Sequence, residues 1–286
     1  MILLSLWPCL TRLYLIIFLL FSCNSTYNAF TIGSLPSSIN QKSNLVSISP
    51  GGLTGFYTLG ITSYLKKHYN LTDYVFLGAS AGSWNALLLT SKIPNEIIVD
   101  KLLNQSMFQE STTISSLHTS IKNYIIDTYD THDFNLNKLF VSVSVFRYFY
   151  FKPKILFNFK SLKDAVEGCM SSSYIPMITG SVRLTRIKNI IVDGGWPKFP
   201  PDNIDPYFSI DPSMWGKQFK REDRFKYPSR VDFFREMYQL GYNDSHTNKK
   251  VFDIYFDKLN IHNTSCTYTI YKSPPPTCLP GAQHYS

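Results

Sequence analysis

The chain has 286 residues, of which 44% are hydrophobic, 15% aromatic and only 17% charged, with a formal net charge of +8. That composition can build the core of one sizeable domain, or at most two small ones, and excludes a highly charged disordered chain. The basic excess suits an anionic membrane surface or nucleic acid, yet neither a zinc-type cysteine pair nor a basic helix with heptads accompanies it, so no nucleic-acid partner is expected.

Residues 1–25 are mostly apolar, with Arg12 the one charged residue, and the uninterrupted stretch is Leu13 to Phe21. A bilayer span needs roughly 20 apolar residues and a signal-peptide core roughly 7–15. A cleaved secretory signal ending at Ser25 is therefore expected, with an uncleaved anchor tethering the chain through residues 1–23 as the alternative. Either places the protein in the secretory pathway. Acceptor triplets for glycosylation occur at Asn24, Asn70, Asn104, Asn243 and Asn263. Cys266 and Cys278 bracket a Pro-rich loop and are expected to pair in an oxidising lumen. Cys169 is then left as a buried free thiol. Residues 26–42 read as a linker, 43–260 as the folded domain and 261–286 as a tail.

Inside the domain, Asn44–Ser49 is a short β-rich run that the Pro-Gly-Gly of residues 50–52 breaks. Phe56–His68 carries apolar residues at helical spacing and ends in basic residues. The run DYVFLG, residues 73–78, is a second buried strand, and ASAGSWNALLLTSK continues as a second helix. Strand, glycine turn, helix, repeated, predicts an α/β fold with parallel strands and crossover helices.

Within that frame Gly78, Ser80 and Gly82 form G-x-S-x-G, the pattern that exposes a nucleophile on a strained strand-to-helix turn. The following helix directs its positive end towards the site. Ser49–Gly55 places Gly51 and Gly52 before the first helix, where backbone amides serve an oxyanion. A P-loop would need a Gly-Lys-Ser/Thr ending, which is absent, and no dinucleotide-binding glycine pattern occurs either, so no nucleotide is expected. In NIIVDGGWPKFP, residues 189–200, an apolar strand ends at Asp193, and Gly194 and Gly195 let the chain turn sharply. A carboxylate there is placed to take the Ser80 proton directly, with no histidine required.

In this order the three elements resemble the patatin-like phospholipase family, over roughly residues 43–257. Asp164 to Gly180 is similar to that family's segment before the Asp-Gly-Gly turn, and Phe233 to Ser245 to its late helix. The resemblance implies a three-layer α/β/α fold with a mainly parallel central sheet and a Ser80–Asp193 dyad. It also implies an oxyanion loop of Gly51, Gly52 and Leu53, acyl-lipid substrates such as glycerophospholipids, and neither metal nor cofactor. Two departures stand in the loop: Pro50 replaces a glycine and removes an amide donor, and Thr54 occupies a position usually held by Arg or Lys. After the turn, WPKFPP lacks the family's Asp-Asn pair.

Two stretches mix aromatic with basic residues. Pro206–Arg230 reads as an interfacial surface or an ordinary insertion, and Phe146–Lys160 as a strand pair or a lipid-contacting lid. Alternatives to the dyad are a histidine-dependent α/β-hydrolase using His246, His262 or His284, and a lipid-surface binding protein that turns over slowly.

Overall fold

The computed structural model describes residues 30–39, 41–104, 110–147, 150–175, 178–179, 190–196, 198–228 and 232–259. The leader, Asn24, Asn263, Cys266, Cys278, His262 and His284 lie outside them. Seven strands form one sheet: β1 (Thr31–Gly33), β2 (Leu45–Ile48), β3 (Val75–Ala79), β4 (Leu139–Arg147), β5 (Tyr150–Phe157), β6 (Ile190–Val192) and β7 (Phe208–Ile210). Their order is β1-β5-β4-β3-β2-β7, with β6 also paired to β4. The run β7-β2-β3-β4 is parallel, while β5 and β6 pair with β4, and β1 with β5, in the antiparallel sense. The molecule is thus an α/β protein whose sheet is parallel at its centre.

The helices of five residues or more are α1 (Gly55–His68), α2 (Ala81–Thr90), α3 (Asn95–Leu103), α4 (Ile114–Thr128), α5 (Leu162–Ser172), α6 (Arg221–Phe225), α7 (Phe233–Thr247) and α8 (Lys249–Tyr255). The crossover from β2 to β3 contains α1, and that from β3 to β4 contains α2, α3 and α4, as parallel neighbours require. Every residue of α1 from Gly55 to Leu65 is buried. It is enclosed because α2 packs on one side of it and α7 on the other, which is why small and apolar residues occur all round it. The cap of α4 is Thr113, whose side chain accepts from the Ser116 amide, and that of α5 is Ser161, whose side chain accepts from the Asp164 amide.

Alternation along the central strands divides the core in two. Val46, Phe76, Leu139 and Val141 face the helices, whereas Leu45, Leu77 and Phe140 face the opposite side, where Leu35, Ile39, Ile204 and Phe199 from connecting chain cover them.

Two stretches differ from expectation, and a third takes one of its two expected forms. Residues 31–33, read as linker, are the sheet's edge strand, with Thr31 opposite Phe157 and Gly33 opposite Ile155. Part of Pro206–Arg230 is core, because Phe208 and Ile210 are buried in β7 beside β2 and Trp215 packs on Phe252. In Phe146–Lys160 the strand pair is what forms, as the end of β4 and the whole of β5. Among the described residues no helix is long and apolar enough to cross a membrane.

Candidate active site

The register of β4 explains how residues 113 positions apart in sequence meet. On one edge of β4, β3 runs up until Ala79 stands opposite Ser142. Along the same edge β6 runs down, antiparallel, until Val192 stands opposite Ser144. The next residues, Ser80 and Asp193, enter the gap left between the two strand ends. This is the carboxyl end of a parallel strand, where open α/β sheets place their ligands.

Ser80 has φ 54° and ψ −127°, a left-handed conformation that L-residues adopt at a cost. The turn is enforced by neighbours: a Cβ on Gly78 would lie 2.3 Å from the Gly82 carbonyl oxygen, and one on Gly82 would lie 2.2 Å from that of Ile48. Only glycine fits both places, so the chain turns sharply and α2 starts directly after Ser80. The Ser80 carbonyl accepts from the Ser83 amide at 2.9 Å and from the Ser83 hydroxyl at 2.6 Å. Its amide donates to Ser172 Oγ at 2.8 Å, and the Ser172 hydroxyl donates onward to the Ser142 carbonyl at 2.6 Å. Ser172 thus ties the nucleophile's turn to β4.

Ser80 stands beside Asp193, close enough for its hydroxyl to act on the carboxyl's pKa. Burial pushes the Asp193 carboxyl above its usual range, against the opposing pull of Ser80 and of the Gly195 amide. That amide donates to Asp193 Oδ1 at 2.8 Å. The Asp193 amide donates to the Tyr174 carbonyl and the Gly194 amide to that of Ser172, each at 2.8 Å. Gly194 is packed against β4, with the Ser142 carbonyl 1.9 Å from where a Cβ would be, and Gly195 against Pro50, whose Cγ would be 2.7 Å away. Pro50 therefore packs the loop onto the Asp-Gly-Gly turn as well as lacking an amide.

In the glycine loop, Gly51 precedes a single 3-10 turn, Gly52–Thr54, and Gly52 has φ +57° with the Arg224 carbonyl packed over it. Thr54, buried where a cation was expected, donates through its hydroxyl to the Gly51 carbonyl at 2.7 Å. Among the described residues, the amides of Gly51, Gly52 and Leu53 have no protein acceptor. Three donors are left for a developing oxyanion. No family model matches the chain, and no curated protein matches it.

Ser80 opens on a cavity that Gly52 and Leu53 also line. Its walls are mostly apolar: Phe56 and Leu59 from α1, Trp84 and Leu88 from α2, Ile114 and Ile121 from α4. Ile178 and Phe225, both exposed, line it as well and mark the mouth.

Sequence reasoning missed Ser172, Arg224 and His118. Arg224, on α6, lines the cavity, and its Nε is buried with no partner. His118 lines it on α4; the spacing Ile114, His118, Ile121, Ile125 was the available signal. His246 instead stacks beside Tyr64, ring centroids 6.0 Å apart, and does not line the cavity. Cys169 is a buried free thiol whose pKa burial pushes up to about 12, so it is inert at neutral pH.

Proposed function

We propose that the protein is a serine acyl hydrolase of patatin-like phospholipase type, acting on lipid esters through Ser80 and Asp193. The observation that carries this reading is Ser80, held on a strained strand-to-helix turn with its hydroxyl beside the half-buried Asp193 carboxylate. Desolvation makes Asp193 a better proton acceptor than an ordinary carboxylate. Ser80 Oγ attacks the ester carbonyl as its proton passes to Asp193. The carbonyl oxygen takes up negative charge facing the amides of Gly51, Gly52 and Leu53, and the positive end of α2 favours the same charge. The alcohol leaves with the proton from Asp193, and water, deprotonated by the same carboxylate, then frees the acid from Ser80.

The apolar cavity takes the acyl chain. Ile178 and Phe225 at the mouth, and Trp196, 62% exposed and three residues beyond Asp193, are exposed apolar side chains suited to a lipid interface. Arg224 supplies there the positive charge that Thr54 does not. The test is release of free fatty acid from mixed phospholipid vesicles by the chain lacking residues 1–25, beside Ser80→Ala and Asp193→Asn. Release abolished in both variants supports the dyad; equal release by Ser80→Ala removes it.

A further inference from the structure

The cavity's polar side chains are almost all spoken for. Asn85 donates through Nδ2 to the Gly55 carbonyl and to Thr58 Oγ1. Ser173 accepts from Trp84 Nε1 at 3.0 Å and donates to the Cys169 carbonyl at 2.9 Å. Thr179 accepts from the Ile175 amide and donates to the Ile175 carbonyl. Ser80 belongs to the dyad, and Arg224 lies beside Phe225 at the mouth. His118, like the Arg224 Nε, has no hydrogen-bond partner for its ring nitrogens among the described residues, and its half-buried side chain lines the cavity.

Its position is fixed by helix geometry. Ile114, His118, Ile121 and Ile125 recur at spacings of three and four, which puts them on one face of α4, and all four line the cavity. An imidazole therefore interrupts an otherwise apolar wall. Its ring lies 6.3 Å from that of Trp84, centroid to centroid, and Trp84 sits one turn of α2 beyond Ser80. The imidazole thus stands in the cavity wall beside Trp84. Desolvation lowers its pKa to about 4, so at neutral pH it is uncharged and offers one N–H donor and one nitrogen acceptor.

We infer that His118 selects acyl chains bearing a hydroxyl or oxo group partway along their length over plain saturated ones. The inference rests on the acyl-hydrolase reading of the cavity. A saturated chain threading past His118 displaces water from the ring and offers neither nitrogen a partner, whereas a hydroxyl pairs with either nitrogen and an oxo group with the N–H. The discrimination expected from one such bond is about tenfold. It would be larger where a fully desolvated site loses its partner.

Titration calorimetry tests this without needing turnover. The probes are octadecanoic acid and a panel of octadecanoic acids carrying one hydroxyl at successive positions, titrated into the wild-type chain, His118→Leu and His118→Asn, with fatty-acid release from the matching lysophospholipids measured alongside. The expected result is about tenfold tighter binding of at least one hydroxy acid to the wild type. His118→Leu should reverse that preference, His118→Asn should keep part of it, and both variants should melt cooperatively. Equal affinities across the panel, or a preference that survives His118→Leu, would overturn the inference. Ester turnover that depends on Ser80 with no hydroxy preference would sink the inference alone. A His118-dependent preference in binding without any ester turnover would sink the hydrolase reading alone.

Discussion

Replacing Ser80 by glycine and, separately, by alanine isolates the backbone strain at the nucleophile. Both variants lack the hydroxyl, so its interaction with Asp193 cancels in the comparison and only the Cβ differs. At an ordinary position glycine is the less stable of the two by about 0.4–1 kcal/mol, because it frees the unfolded chain. At φ 54° and ψ −127° the Cβ carries a strain of about 1–3 kcal/mol that glycine releases. The net expectation is that Ser80→Gly is more stable than Ser80→Ala by about 1 kcal/mol, a gap of roughly 2–4 °C in Tm for a domain of this size. Scanning calorimetry of the two variants under identical conditions measures it. Ser80→Ala melting at or above Ser80→Gly would refute the strained-turn account, since the sign itself is what distinguishes this site from an ordinary one.

Asp193→Asn should abolish turnover yet raise Tm at neutral pH, because it removes a partly desolvated charge while keeping an oxygen for the Gly195 amide. A carboxyl whose folded pKa is raised costs stability once it ionises. The gain should therefore shrink as pH falls through that raised pKa and vanish below the ordinary 3.8; melts across that range check it. In the wild type the same ionisation should set the acid limb of kcat/KM above 3.8, with no histidine inflection. Ser172→Ala should cost about 1–3 kcal/mol in a denaturant titration, since the Ser80 amide and the Ser142 carbonyl both lose a partner. Turnover should fall too, because the nucleophile's turn is no longer tied to β4.

The centre of the fold and the two turns that carry Ser80 and Asp193 were legible because each had a local signature. Leu45–Ile48 and Val75–Ala79 are apolar runs closed by glycine turns, and Gly78, Ser80 and Gly82 announce a turn that only small residues permit. What escaped reading depends on partners far away in sequence. The strand Thr31–Gly33 is three residues long, too short for an alternation to register, and exists because Phe157 to Ile155 offers it an edge. Phe208 and Ile210 looked like part of an interfacial surface until β2 paired with them and buried both. Ser172 sits among other serines at the end of α5, and nothing local marks the one that faces the Ser80 amide. His118 was readable in principle from its place in an isoleucine stripe, but the stripe alone does not say that the wall it forms encloses a cavity.

The central claim is that Asp193 activates Ser80, and the most direct measurement is covalent trapping with an alkyl fluorophosphonate. Attack by an activated serine oxygen forms a phosphorus–oxygen bond and expels fluoride, with the hydroxyl proton passing to Asp193. Peptide mapping by mass spectrometry should find the adduct on Ser80 in the wild type, with labelling slowed severely in Asp193→Asn. Labelling of another residue, or labelling of Ser80 at an unchanged rate in Asp193→Asn, would contradict the account.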